Sequence, residues 1–287
     1  MPASLDSILA ATRTRLSERR QGIDLRALER SAAQHEPRGF RDRLLRASHD
    51  GIAIIAELKK ASPSKGLIRA DFHPAALAIE LEQAGAAALS VLTDEEFFHG
   101  SLDYLRAASA ATSLPCLRKD FILDEFQIVE ARAYAADAVL LIVAALDQKK
   151  LVALAASARS HGLDVLCEAH DEEELARAVD AGCDLIGINS RNLRTFEVTL
   201  DTALKLAAKI PAGCLRVAES GIHRGADLAQ LRAAGYQAFL IGESLMKHLR
   251  PGQSLAKLLE DSAQHEAIGK QQDFSPRLDA RGSKLSL

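Results

Sequence analysis

The chain has 287 residues, of which 48% are hydrophobic and 26% charged, with a formal net charge of −3. That is enough apolar material for one large core, and the near-neutral balance offers no basic face to nucleic acid or to an acidic membrane. No apolar run approaches the ~18 residues of a membrane span, and the absence of Trp argues against a stacking platform for single-stranded nucleic acid.

The chain opens with MPASLDSILAATRTRLSERR, which sets Leu5, Ile8, Leu9 and Leu16 among charged residues. This is an amphipathic helix without the apolar centre or cleavage site of a signal peptide, so a cytoplasmic protein is expected. Residues 1–45 read as a helical extension packed on one end of the main domain.

From Ile52 onward, short apolar runs alternate with helical stretches. Strands are expected at 52–57, 88–92, 115–119, 138–143, 164–168, 184–189, 215–219 and 238–241. Helices are expected at 74–84, 101–111, 124–135, 147–161, 171–181, 199–209, 224–234 and from about 244. Unbroken Val/Ile/Leu runs suit parallel strands covered on both faces. A weak internal repeat, helix end then small residue then buried strand, recurs in EQAGAAALSVL, ARAYAADAVLLI, VDAGCDLIGI and RAAGYQAFLI. Gly85, Gly182 and Gly235 supply the left-handed cap that ends a helix, and Ala135 stands in the same place in the remaining copy. Eight strand–helix units predict an α/β protein, a (β/α)8 TIM barrel over residues 46–261. A dinucleotide-binding sheet would carry GxGxxG after its first strand, and none is present. The polar residues 262–287 lack periodicity and read as a disordered tail.

The carboxyl ends of barrel strands form the active site in this architecture. Those ends carry Glu57 and Lys59, Thr93, Lys119, Glu168, Asn189 with Arg191 beyond it, then Glu219 followed by Ser220 and Gly221. Structural ion pairing is the plain alternative, but unpaired buried charge costs several kcal/mol. Acids and lysines gathered in one partly desolvated mouth point instead to proton transfer, with pKa values pushed towards neutrality. AESGI and LIGES, at the last two strands, place small residues where backbone N–H groups can meet an anion. SPSKG, Ser62–Gly66, lacks the order of a P-loop and reads as a loop able to fold over the site. Cys116, Cys167, Cys183 and Cys214 are isolated in apolar surroundings, and no His/Cys cluster has metal-ligand spacing, so neither metal nor cofactor is expected.

Taken in order, AELKKASPSKG, LSVLTDEEFFHGS, LRKDFILDEFQI, ADAVLLIV, IGINSRNLRTF, VAESGI and AFLIGESLM resemble the indole-3-glycerol-phosphate synthase family over residues 5–261. The resemblance implies ring closure, decarboxylation and dehydration of a phosphorylated small molecule, 1-(2-carboxyphenylamino)-1-deoxyribulose 5-phosphate. It implies Lys119 as the general acid, Lys59 as the partner of the substrate carboxylate and Glu168 as the acid–base group of the dehydration. Glu57 and Asn189 would orient the substrate and the lysines, with Glu219 as a supporting carboxylate. Ser62 and Arg191 would be polar contacts, and Phe98, Phe121, Leu140, Leu193 and Leu240 apolar ones. Ser220, Gly221, Gly242 and Glu243 match the phosphate loops; Ser is the residue expected in place of Glu243, whose carboxylate should therefore turn away from the anion. A monomer is expected, a dimer being the alternative. On the residues alone, another phosphate-binding barrel remains open, an isomerase or a Schiff-base aldolase using Lys119, as does a non-catalytic binding barrel.

Overall fold

The computed structural model describes residues 4–192 and 197–273. Eight parallel strands close into a barrel: β1 (Ala53–Leu58), β2 (Ala88–Leu92), β3 (Cys116–Lys119), β4 (Ala138–Ile142), β5 (Asp164–Ala169), β6 (Leu185–Asn189), β7 (Leu215–Glu219) and β8 (Ala238–Ile241). Closure is made by β8 pairing with β1, in the register Ala53↔Ala238 to Ala56↔Ile241. Each expected strand is present to within one or two residues. A short antiparallel hairpin, Ala61–Ser62 with Gly66–Leu67, comes after β1.

Three helices precede the barrel: α1 (Leu5–Gly22), α2 (Leu25–Gln34) and α3 (Phe40–Asp50). Ser4 and Asp24 cap the first two by accepting hydrogen bonds from Ser7 N and from Arg26 N and Ala27 N. Phe40 and Leu44 of α3 are fully buried among Ile55, Leu117, Leu166 and Val217, where they plug the amino-terminal end of the barrel. Burying two such side chains contributes about 1.5–3 kcal/mol each. Arg41 reinforces the plug, its N–H donating to Asp164 Oδ2 at 2.9 Å and its guanidinium lying 2.9 Å from Asp184. α1 lies at the opposite end, with Arg15 paired to Asp94 and Arg20 to Asp124. The extension thus runs from one end of the barrel to the other, rather than covering one end as its composition suggests.

The outer helices are α4 (Pro74–Gln83), α5 (Leu102–Ala111), α6 (Glu125–Ala133), α7 (Gln148–Ser160), α8 (Glu172–Asp180), α9 (Asp201–Leu206), α10 (Gly225–Ala233), the short α11 (Glu243–Met246) and α12 (Pro251–Asp273). Gly85, Gly182 and Gly235 have φ of 95°, 71° and 99°, and Ala135 adopts the same left-handed conformation at 62°. An alanine there costs about 1–2 kcal/mol. Its carbonyl is held by Ser109 Oγ at 2.9 Å.

The domain boundary drawn at residue 261 falls inside α12, which continues to Asp273. The reason is a close helix crossing that periodicity does not reveal. Ser262 is completely buried, and a Cβ on Gly225 of α10 would come within 2.4 Å of the Asp261–Ser262 backbone. Residues 274–287, the rest of the expected tail, lie outside the described residues. Among those described, no helix is long and apolar enough to cross a membrane.

Inside the barrel the odd-numbered strands set the layers. Ile55, Leu117, Leu166 and Val217 form an aliphatic layer. Two residues further along the same strands stand Glu57, Lys119, Glu168 and Glu219. Because side chains alternate along a strand, these four form the next layer towards the carboxyl end. The barrel core ends in charge.

Candidate active site

Above that layer lies a cavity of about 530 Å³, and every residue to which the family resemblance gives a role lines it except Leu193, which falls outside the described residues. At its floor, Lys119 Nζ donates to Glu168 Oε2 at 2.7 Å and to Glu219 Oε2 at 3.1 Å. Room for Glu219 comes from Gly187 on β6, where a Cβ would sit 2.1 Å from Glu219 Oε1. That oxygen is buried without a hydrogen-bond partner. Across the floor, Lys59 Nζ donates to Glu57 Oε1 at 2.6 Å. Gly242 makes room for Glu57, since a Cβ there would lie 2.3 Å from Glu57 Oε1.

The shared ammonium does not act equally on its two carboxylates. Burial opposes the charge on Lys119, but Glu168, Glu219 and Glu57 outweigh it and hold the ammonium well above the ordinary lysine range. Burial also opposes ionisation of Glu168, yet Lys119 and His170 outweigh it and keep this carboxyl far below its usual value. For Glu219, burial and repulsion from Glu168 win over Lys119 and push the carboxyl up to about 8. Only Glu219 therefore moves towards neutrality. The expectation that the lysine would do so is corrected: with carboxylates on two sides, the ion pair dominates desolvation.

One wall is apolar. Phe98 and Phe121 stand 6.3 Å apart between ring centroids, with Leu140, Ile142 and Leu240 completing the surface. The end formed by the last two loops is polar and built of backbone. Ser220 and Gly221 both have positive φ, 64° and 81°, and Ser220 is the residue for which this conformation is strained. Ser244 Oγ donates to the carbonyl of Ile222 at 3.1 Å, tying the loop after β7 to the start of α11. Glu243, expected to turn away from the anion, lies 3.4 Å from Arg191 Nη2. Arg191 N–H donates to Asn189 Oδ1 at 3.0 Å, so the loop after β6 is anchored on the same strand end.

Thr93, noted among the strand ends, does not reach the cavity. It is buried and donates to Asp120 Oδ2 at 2.6 Å, within the ion-pair network around Arg118, of which Asp120 itself borders the cavity. Sequence reasoning overlooked Leu5 and Ile8, which close the cavity from α1, as well as Lys65 of the hairpin. It also overlooked His170, two residues beyond Glu168. The signals were present in the amphipathic pattern of α1 and in the alternation that puts His170 on the side of Glu168, but neither says which surface a residue will meet. Among the described residues, no group of three or more His, Cys, Asp or Glu is placed to hold a metal ion.

Solved structures of low identity share the barrel. A 3-hexulose-6-phosphate synthase from Salmonella typhimurium matches with a TM-score of 0.60 at 13% identity, over 75% of this chain and 100% of that one. A thiamine phosphate pyrophosphorylase from Pyrococcus furiosus matches with a TM-score of 0.58 at 15% identity, over 77% and 98% of the two chains. Such identities speak for the fold alone. Closer in sequence, an indole-3-glycerol phosphate synthase of Koribacter versatilis (strain Ellin345) is 57% identical over 259 residues, covering 90% of this chain and all of the relative. The family model described as indole-3-glycerol phosphate synthase matches residues 5–258, which takes in the extension, the charged layer and the loops after β7 and β8. The chain belongs to the indole-3-glycerol phosphate synthase family.

Proposed function

We propose that the cavity binds 1-(2-carboxyphenylamino)-1-deoxyribulose 5-phosphate and converts it to indole-3-glycerol phosphate, CO2 and water, in tryptophan biosynthesis. The observation that carries this reading is Lys119, held as an ammonium 2.7 Å and 3.1 Å from two carboxylates at the floor of a cavity with an aromatic wall. Ring closure joins an aromatic carbon to the ketone carbon and leaves negative charge on the ketone oxygen. An ammonium bound so firmly releases its proton only to a strong base, which the developing alkoxide is, and its charge stabilises that oxygen before transfer. The attacking carbon carries the carboxylate, so loss of CO2 returns the bonding pair to the ring and restores its aromaticity. Glu168, already ionised, then takes a proton from the methylene carbon beside the nitrogen, while the new hydroxyl leaves as water on a proton from Lys59. Lys59 meets the substrate carboxylate, with Glu57 and Asn189 orienting it. Glu219, close to neutral pH in its titration, supports the lysine and can hold a proton in transit.

Phe98, Phe121, Leu140 and Leu240 would receive the aromatic ring, Leu193 joining them by family correspondence. The phosphate would rest against backbone N–H groups at Ser220, Gly221 and Gly242–Ser244, and Ser62 and Arg191 would supply polar contacts. A Schiff-base aldolase needs a neutral amine as nucleophile, and the carboxylates around Lys119 oppose that form. No step calls for a metal or an organic cofactor. We place the protein in the cytoplasm, as a monomer.

The test is to supply the carboxyphenylamino substrate to the purified protein and follow indole fluorescence, before and after exhaustive chelation. Turnover in both conditions, with no covalent adduct on borohydride reduction, is expected. A borohydride-trapped lysine adduct would support the aldolase, and absence of turnover with substrate bound would support a binding barrel.

A further inference from the structure

A single ammonium shared by two buried carboxylates leaves open which of them carries the charge. Both are essentially inaccessible, both contact Lys119, and they repel each other. Their surroundings differ. Glu168 Oε1 lies 3.4 Å from Nε2 of His170, whereas Glu219 Oε1 is buried beside Gly187 without a hydrogen-bond partner. His170 is itself fixed from the far side. Its Nδ1 lies 2.9 Å from Glu174 Oε2, and its backbone N–H donates to the same oxygen at 2.8 Å. Glu174 stands in the first turn of α8, which Asp171 caps by accepting from Glu174 N. The row Glu174–His170–Glu168–Lys119–Glu219 thus alternates in sign.

The row also runs outward, with side-chain exposures of 2% at Glu168, 12% at His170 and 16% at Glu174. His170 Nε2 is buried and makes no hydrogen bond of good geometry, so it points at Glu168 with its bonding capacity unspent.

We propose that His170, clamped by Glu174, is the positioning residue that decides which carboxylate beside Lys119 is ionised, assigning the charge to Glu168 and leaving the proton to Glu219. Pairs of acids whose environments are pushed apart mark the division of acid and base roles in a site. Burial opposes the charge on the imidazole, but Glu168 and Glu174 overcome it and hold it up to about 10. The charged groups that act on His170 are Glu168 on β5 and Glu174 on α8. Those that act on Glu168 are Lys119 on β3, Glu219 on β7 and His170 itself. The inference deepens the reading of Glu168 as the proton acceptor and rests on it.

The experiment is the pH profile of kcat in His170→Asn and Glu174→Gln beside the parent. Loss of the imidazolium raises the Glu168 titration, so the acid limb of His170→Asn should move upward by at least one pH unit, with the rate above that limb recovering to within about threefold of the parent. Glu174→Gln, which leaves both carboxylates beside Lys119 in place, should move the limb in the same direction by less. Loss of rate by the same factor at every pH in both variants would reduce His170 to a packing residue and overturn the proposal. Should His170→Asn not fold, Glu174→Gln together with nitrogen NMR of His170 in the substrate-free parent decides the matter. The ring should stay doubly protonated through pH 9, and titration near the ordinary ~6.5 would overturn the proposal. If the parent makes no indole product, the assigned reaction fails, while the NMR titration still tests the clamp.

Discussion

Arg118 and Lys119 are neighbours on β3, both buried cations, and they face opposite sides of one strand. Arg118 points outward, between barrel and helices. Its Nε lies 3.2 Å from Thr93 Oγ1, Nη1 donates to the Gln127 carbonyl at 2.8 Å, and Nη2 reaches Asp120 and Glu130, both at 2.9 Å. Lys119 points inward to two carboxylates, one of which keeps an oxygen with no hydrogen-bond partner, and a cavity opens above it. Buried charge alone therefore says little about chemistry. A guanidinium with each nitrogen engaged has nothing left to offer a substrate. An ammonium with a cavity open above it does.

The largest expected effects separate the two cations. Lys119→Ala should lower kcat by ~10³-fold or more, since it removes both the proton and the charge on the alkoxide, with the fold intact by circular dichroism. Arg118→Met should do the reverse, leaving Asp120 and Glu130 without their cation. A stability loss of about 3–5 kcal/mol in denaturant titration is expected, with kcat of the folded fraction within a few-fold of the parent. An inactive but fully stable Arg118→Met would break the comparison.

The two carboxylates sharing Lys119 sharpen it. Glu168→Gln should cost ~10²–10⁴-fold in kcat, read in single-turnover experiments that separate closure from dehydration. Glu219→Gln mimics the protonated form favoured by its environment, so below pH 8 its cost should be clearly smaller. Equal losses at pH 6.5 would mean that the two acids are not differentiated. Gly242→Ala should then lower kcat as well as raise KM, because its Cβ would strike Glu57 Oε1 at 2.3 Å before it met any phosphate. A change in KM alone would mean that Glu57 can yield.

Stability should also report the cluster. His170 has a raised folded-state value, so its contribution is complete below ~6.5 and is lost as pH rises to about 10. Glu219, also raised, loses its contribution as pH climbs from the ordinary carboxylate range to about 8. Glu168, lowered, stabilises above the ordinary carboxylate range and loses its contribution as pH falls below it. Melting temperature should accordingly decline from pH 7 to 10, and less steeply in His170→Asn. The smallest effect is expected of Glu243→Ser. With its carboxylate paired to Arg191, removing it should leave KM unchanged or slightly lower; a tenfold rise would assign Glu243 a direct contact.

Most of the barrel was legible because a parallel strand covered on both faces writes itself as an unbroken apolar run, and a helix end as a small residue before it. The site was legible for a related reason: a charged residue ending such a run, as Glu57, Lys119, Glu168 and Glu219 each do, has few places to go but the mouth. Thr93 ended its run in the same way and does not line the cavity, because its hydroxyl is taken up by Asp120 Oδ2 and Arg118 Nε. Glu243 and Arg191 were each noticed, but a pairing across two loops leaves no trace in spacing. The length of α12 was missed because its packing depends on Gly225, a residue distant in sequence that matters by having no side chain.

The route of the amino-terminal extension has a practical side. Leu5 and Ile8 border the cavity, while the same extension ends, at Phe40 and Leu44, as the stopper of the opposite end. An affinity tag or surface tether joined at the amino terminus would be delivered to the rim of the reaction chamber. α12 contributes no residue to the cavity lining, so a comparison of immobilised preparations should show a tether at the amino terminus with impaired substrate entry and one joined beyond α12 with free access.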